Sequence, residues 1–555
     1  MEDADVVVIG AGSAGAAVAA RLSEDTHRRV VLIEAGDDTP PDGVPEDIRN
    51  IFPAAYFNRS YFWTGLTSRP RDGDAASPFP QARVMGGGSS VMGMLAVRGK
   101  PEDYERWEHR GAENWGWRDV LPAFQAMTND LDAPTRNAAG PNIVRRIPPE
   151  RWPQYMRRVE ELLVRRGRKR LADVYESGED GFFAAPLSQD IDERATSARC
   201  YLTDEVRARP NLTIMTGTHA LRVLFDGTRV KGVAARRGAE TFDIAAREVV
   251  VSCGAVHSPA VLMRSGIGPA DQLRQLGIAV VADRAGVGQN YQNHAQLHFS
   301  MTLKPASRLP PDAQHYIMSC LQFSSGVEGG TPGDLFHYFS GRVSPKGFGR
   351  RMAMLACALY APVSRGRVTL ASSDPLTPPM LDQRLFSDPL DVKRMIIGGR
   401  HAESILFDPA VNECFEEVYL MPRQPPLRLI NGTGLIGALK TAGAIGVLGA
   451  PSWLRRTAIG LAIRPGRVVF DGKRTYPLSD DEIVDAVGPM FHPSSTCAIG
   501  AVDNPMAVVD PQCRVYGVAG LRVADASVMP TVVSANTNMA AIMIGERVAE
   551  FMRQA

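Results

Sequence analysis

Redox chemistry on a small molecule needs a group that exchanges protons near neutrality and a carrier for electrons, and two distant stretches of this chain offer one each. Phe491-His492-Pro493-Ser494-Ser495-Thr496-Cys497 holds a histidine, the side chain whose unperturbed pKa lies closest to neutral pH. Asn536, in Ala535-Asn536-Thr537-Asn538, follows 44 residues later. Its amide can orient a substrate oxygen but takes up no proton at neutral pH. A histidine in an apolar stretch is by itself more often a packed core residue than a base, so these two positions alone leave both readings open.

The carrier is suggested at the other end of the chain. Val6-Val7-Val8-Ile9 reads as a parallel strand buried on both faces. Gly10-Ala11-Gly12-Ser13-Ala14-Gly15 and an Ala-rich helix to Leu22 follow it, and Val30-Val31-Leu32-Ile33 leads to Glu34. Gly10 permits the tight turn, Gly12 lets the backbone approach a pyrophosphate, and Gly15 lets the helix pack close to the strand. The N–H groups of that helix start, around Ser13 and Ala14, then face the phosphates. Glu34, 19 residues after Gly15, can accept hydrogen bonds from an adenosine ribose and would repel a 2′-phosphate. A tight structural turn is the competing reading, but strand, helix and acid agree on dinucleotide binding. The motif alone does not separate FAD from NAD. With more than 500 residues following it, FAD is favoured.

Bulk properties bound the rest. A chain of 555 residues has material for about three or four domains. With 44% hydrophobic and 22% charged residues, its composition is that of a globular protein. The 62 Lys and Arg nearly cancel the 61 Asp and Glu, so no global field attracts nucleic acid or anionic lipid. Seven scattered cysteines without a CxxC pair suggest neither a disulfide framework nor a metal site. No basic or apolar leader precedes the first strand, and a reducing cytoplasm is the expectation.

Along the chain, Tyr56, Tyr61, Phe62 and Trp63 cluster as core or as a lid over a nucleotide. Arg83-Val84-Met85-Gly86-Gly87-Gly88-Ser89-Ser90-Val91-Met92-Gly93-Met94 is too glycine-rich for a helix or strand, and suits backbone lying against a flat ligand. Residues 151–190 read as a solvated helix. Asp226-Gly227 between apolar runs signals a hairpin. Val249-Val250-Val251 reads as a buried strand, Gly254 as a helix start, and Gly266-Ile267-Gly268-Pro269 as its stop. His298 to Leu303 and Arg367 to Leu370 suggest strands of a second sheet. Gly434 to Ala450 is apolar, contains five glycines and is too short to span a membrane. A lid, a membrane-touching surface and a buried helical hairpin all remain open for it.

The Gly10 to Gly15 fingerprint, the Arg83 to Arg98 stretch and the segments Gly254 to Pro269, Gly286-Val287-Gly288-Gln289-Asn290 and His294 resemble the glucose-methanol-choline (GMC) family of flavin oxidoreductases over nearly the whole chain. The resemblance implies an α/β fold: a Rossmann-like FAD-binding domain (1–150, 190–295 and 490–555) with an interleaved substrate domain (151–189 and 296–489) built on an antiparallel sheet backed by helices. It implies that Gly10, Gly12, Ser13, Ala14, Gly15, Glu34, Ala35, Trp63, Arg83, Gly87, Gly88, Ser89, Val91, Met92, Gly93, Met94, Val223, Cys253, Gly254, Ser258, Asp525, Ala526, Thr537 and Met539 surround FAD. Asp525 read alone is equally a helix cap. The segments around His492 and Asn536 match the family's catalytic pair, with asparagine where many members carry a second histidine. His492 is thereby the expected base for a primary alcohol, aromatic or allylic, whose α-hydrogen leaves as hydride to flavin N5. The acceptor would be oxygen or another oxidant. Several members bind FAD covalently through a histidine just after the Ser-Ser pair, where this chain has Val91-Met92, so FAD is expected to be non-covalent. A redox-neutral lyase of the hydroxynitrile lyase kind and an aliphatic or choline-type dehydrogenase are the alternatives. Oligomeric state is not legible.

Overall fold

In the computed structural model, residues 4–133, 139–172, 179–423, 431–432 and 434–554 are described. The chain begins with β1 (Ala4–Ile9), α1 (Ser13–Leu22) and β2 (Val30–Ile33). After short helices and loops come β3 (Gly181–Ala184), β4 (Leu212–Met215), β5 (Thr218–Asp226), β6 (Arg229–Arg237), β7 (Glu240–Val251) and α2 (Gly254–Arg264). Next are β8 (Ala295–Leu303), β9 (Ile317–Phe323), β10 (Leu335–Ser340), β11 (Met352–Leu359), α3 (Pro389–Leu406) and β12 (Phe415–Leu420). Finally come α4 (Gly434–Gly449), α5 (Ser452–Ala462), β13 (Arg467–Phe470), β14 (Gly488–Pro489), β15 (Leu521–Val523) and α6 (Thr537–Gln554).

β1 is central in the first sheet because it is apolar throughout. It pairs in parallel with β2 (Val8 opposite Leu32) and with the end of β7 (Val8 opposite Val250). β4 extends the sheet beyond β2, and β15 beyond β7. The first half of β7 splays off to pair antiparallel with β6, and β6 with β5, through the Asp226-Gly227 hairpin. Val6, Val7, Val8 and Ile9 are all buried, each contributing about 1.5–3 kcal/mol. α6 lies so close on α1 that a Cβ at Gly545 would stand 2.6 Å from the Ala14 carbonyl oxygen. Arg21 of α1 grips Glu546 of α6 at 2.8 and 3.1 Å. That contact carries the last helix of the chain back to the first.

The second sheet is antiparallel, in the order β13-β12-β8-β11-β10-β9-β3, with β14 also on β8. Phe299 of β8 lies between Leu355 of β11 and Leu420 of β12. This sheet has its own hydrophobic core, separate from that of the first. α3 covers it at glycine distance: a Cβ on Gly398 would fall 2.6 Å from Cys357 Sγ.

Three expectations need correction. The Arg367–Thr369 strand joins a separate four-stranded sheet with Met380–Asp382, Thr67–Arg69 and Ser77–Pro78, not the second large sheet. In 151–190, the helix Gln154–Arg165 is amphipathic, burying Tyr155, Met156, Val159, Leu162 and Leu163; residues 173–178 lie outside those described. Gly434 to Ala450 does begin a helical hairpin, α4 and α5, but an exposed one. No helix among the described residues is long and apolar enough to cross a membrane.

The packing predicts opposite outcomes for one substitution at two helical glycines. Gly→Ala in a helix ordinarily gains about 1 kcal/mol. At Gly443 of α4 a Cβ meets nothing within 4 Å, so Gly443→Ala should raise the thermal midpoint. Gly398→Ala must displace Cys357 and should lower it, overpacking costing about 1–3 kcal/mol. Melting both variants beside the parent checks this, and a gain at Gly398 would contradict it.

Candidate active site

The C-terminal ends of β1 and β2, the start of α2 and the Gly87-Gly88 turn line one cleft of ≈ 1220 Å³, open mouth included. Gly10, at φ +98°, turns the chain out of β1, where a Cβ would stand 2.5 Å from the Ser252 carbonyl oxygen. A Cβ on Gly87 would lie 2.9 Å from the Gly12 Cα. Two loops thus meet backbone to backbone, leaving room for a ligand that side chains would fill. The buried Glu34 carboxylate accepts the N–H groups of Ala11 (3.0 Å) and Gly36 (2.8 Å), and burial pushes its pKa up. Also lining the cleft are His257 and Arg264, whose Nε2 and Nε are buried without a hydrogen-bond partner among the described residues. Unmet polar atoms deep in the cleft imply a polar occupant. The glycine cradle, the start of α1 and these groups fit FAD.

Of the residues assigned to the cofactor, Gly10, Gly12, Ser13, Ala14, Glu34, Ala35, Trp63, Gly87, Gly88, Met92, Cys253, Gly254, Asp525, Ala526 and Thr537 line this cleft. Arg83 lines an adjoining cavity that shares Ala35, Trp63 and His219 with it. The others stand elsewhere. Gly15 packs on Gly10, where a Cβ would be 1.9 Å from the carbonyl oxygen. Ser258 Oγ donates to Asp525 at 2.5 Å, and Ser89 Oγ donates to the Gly86 carbonyl at 2.6 Å. Val91, Met94 and Met539 are buried and Gly93 is exposed, none of them on the cleft. Val223 is buried with its N–H donating to Ser265 Oγ at 2.8 Å. Thr218, His219 and Ala220 line the cleft from the same strand instead. Sequence reasoning also passed over His257 and Arg264; their spacing of seven residues, two helical turns, was the available signal.

Asp525 joins the two ends of the chain. Its carboxylate accepts the Gly254 N–H (2.9 Å), the Ser258 hydroxyl and the Ser527 N–H (2.7 Å), fixing the start of α2 against the segment that leads to α6. It is therefore both a cap and a cleft residue. Ser13 Oγ donates to Asn538 Oδ1 at 2.6 Å, tying the start of α1 to that of α6.

Beside the cleft residues Phe491 and Pro493, His492 forms a hydrogen-bonded chain with His294 and Asn536. His294 Nε2 lies 3.1 Å from the Val533 carbonyl oxygen, and its Nδ1 lies 2.8 Å from His492 Nδ1. His492 Nε2 lies 3.1 Å from Asn536 Nδ2, and the Tyr360 hydroxyl donates to Asn536 Oδ1 at 2.9 Å. His294 and Tyr360 are fully buried and their rings stack with centroids 4.5 Å apart. Burial, and then the neighbouring His492, hold the His294 pKa well below its ordinary value. Burial alone lowers that of His492 to about 3. Both rings are therefore neutral at neutral pH, and one assignment satisfies every contact. A carbonyl only accepts, so His294 carries its proton on Nε2 and accepts at Nδ1. His492 then donates from Nδ1, which leaves the Nε2 lone pair to accept from Asn536. The arrangement leaves a neutral, oriented imidazole that can act as a base.

Comparison with known proteins follows from this geometry. Residues 4–296 match the N-terminal GMC oxidoreductase profile and residues 362–545 the C-terminal one. The 5-(hydroxymethyl)furfural oxidase of Methylovorus sp. (strain MP688) is 35% identical, over 98% of both chains. The oxygen-dependent choline dehydrogenase of Brucella anthropi is 32% identical, over 99% of this chain and 95% of its own. Among solved structures, pyridoxine 4-oxidase from Mesorbium loti superposes with a TM-score of 0.80 at 26% identity, each chain covered over 100% of its length.

The cleft wall predicts how FAD is held. Met92 offers no nucleophile, and burial pushes the thiol pKa of Cys253 well up, leaving it protonated and unreactive. Acid precipitation of the holoenzyme should leave the yellow colour in the supernatant. Colour retained in the pellet would contradict non-covalent binding.

Proposed function

The chain belongs to the GMC oxidoreductase family, and from that premise we propose that it oxidises a primary alcohol, aromatic or allylic, to the aldehyde. GMC oxidoreductases are FAD-dependent, and FAD when bound supplies the acceptor for the substrate's hydride. The observation that carries the reading is the neutral His492 ring with its Nε2 lone pair held beside Asn536. In this reading His492 Nε2 takes the hydroxyl proton, and the Asn536 amide holds the substrate oxygen in line with it. Tyr360 fixes the amide from the other side. His294 holds the base in its tautomer without touching substrate.

Two observations favour an aromatic substrate. Phe491, next to His492, sits among Phe79 and Tyr56, with ring centroids 5.6 and 6.1 Å away. A relative at 35% identity is named for a hydroxymethylfuran. Oxygen is the acceptor in this reading, since relatives are named as an oxidase and as oxygen-dependent dehydrogenases. We assign the first sheet and its flanking segments to FAD and the second sheet to substrate, along the boundaries expected from the sequence.

Anaerobic mixing of the holoenzyme with aryl alcohols should bleach the flavin. His492→Ala should retain FAD and lose about 10²–10⁴-fold in bleaching rate. Unchanged bleaching would remove His492 from the mechanism, and a flavin that stays oxidised in the parent with every alcohol would point to lyase chemistry. The pH dependence follows from the sign of the shift. With its pKa lowered to about 3, His492 gains a proton only in strong acid, so the bleaching rate should stay level from about pH 8 to about pH 5. A fall centred near the ordinary histidine pKa would contradict a buried neutral base.

A further inference from the structure

α4 and α5 are inside out for helices in water. The buried face of α5 is an arginine: Arg455 reaches Glu417 at 2.6 and 2.9 Å and Glu416 at 2.7 Å. Glu417 is fully buried in β12, so this mount is a satisfied ion pair and not a loose surface contact. α4 is moored by Thr441, whose hydroxyl accepts from Lys346 Nζ at 2.6 Å. The outward faces are apolar. Leu435 is 80% exposed, Ile436 69%, Leu439 65%, Trp453 65% and Leu461 57%. A helix on a globular surface ordinarily turns such residues inward and its charges outward. Among the described residues, a Cβ at Gly443, Gly446 or Gly460 meets nothing within 4 Å.

The charge pattern identifies the occupant. Between Glu417 and Asp471 the sequence contains no Asp or Glu and seven Lys or Arg, of which Arg423, Arg455 and Arg467 are already paired with acids of the protein. Lys440 on α4 and Arg464 just after α5 are exposed, and Arg351 Nη1 stands 3.8 Å from the Cβ position of Gly449. A second copy docked face to face would bring these positive charges together, whereas an anionic surface meets both the charges and the apolar side chains. Exposed Trp and Leu on a hairpin rimmed by Lys and Arg suit the boundary between headgroups and acyl chains. α4 is too short to span.

We propose that the α4–α5 hairpin lies on an anionic phospholipid surface, its Leu, Ile and Trp side chains in the acyl boundary and its Lys and Arg among the phosphates. The holoenzyme should float with vesicles of phosphatidylcholine containing about one third phosphatidylglycerol, at least about tenfold more than with phosphatidylcholine alone, and less as salt is raised. The double variant Leu439→Glu, Trp453→Glu should stay behind while keeping its FAD and its melting point, because both positions are exposed. A parent that remains in the aqueous fraction, or a double variant that floats like the parent, would overturn the proposal. So would equal binding to neutral vesicles. A parent dimer on gel filtration that the double variant converts to monomer, without vesicle binding, would assign the face to a second copy instead.

Discussion

A backbone carbonyl accepts hydrogen bonds and never donates one, and in the buried interior behind His492 that constraint orders the site. Val533 forces a proton onto His294 Nε2, His294 Nδ1 then accepts, His492 Nδ1 donates, and the Nε2 lone pair is left facing Asn536. Burial makes the chain binding in the resting site, because a second proton there would place a charge with no counter-charge among groups that cannot solvate it. Tyr360 pins the far end by donating to Asn536 Oδ1. In the proposed mechanism the base is thus oriented by Val533, His294 and Tyr360.

The parts come from distant stretches, and close packing gathers them. β14, just before the His492 segment, pairs with β8, just after His294, so sheet register brings the two histidines together. α6 carries Thr537 and lies on α1 at glycine distance. Gly12 and Gly87 set the Gly86-Gly87-Gly88 turn against the fingerprint turn. Asp525 locks α2 to the C-terminal segment. Each junction is a place where an added methyl or a lost carboxylate would separate the cofactor cradle from the base.

Much of this was legible in the sequence, for physical reasons. The fingerprint is local: strand, turn, helix and acid are contiguous, so Gly10 to Glu34 could be read in one pass. His492 and Asn536 were found through their neighbours' resemblance to a family, not from their own types. Tyr360 and the role of His294 were not legible, because a buried side chain just beyond a strand's end carries no local mark of what packs against it. Val223 is buried off the cleft that Thr218, His219 and Ala220 line from the same strand; the β5–β6 ladder there carries register shifts, including one between Ala234 and Ala235, which pair with Arg222 and Ala220. An irregular ladder is invisible to alternation. The Gly434 to Ala450 hairpin could be read only as a set of alternatives, since an apolar, glycine-rich run ordinarily signals burial and here the apolar side faces outward.

The central claim concerns one proton, and nitrogen NMR reads it directly. In holoenzyme labelled with 15N-histidine, the His492 resonances, identified by their loss in His492→Gln, should show a protonated Nδ1 and an unprotonated Nε2. Both should hold from about pH 8 to about pH 5. His294→Phe, which keeps an aromatic ring on Tyr360 and removes both nitrogens, should release that preference into a mixture of tautomers. A His492 ring protonated on Nε2, or doubly protonated within that range, would contradict the account.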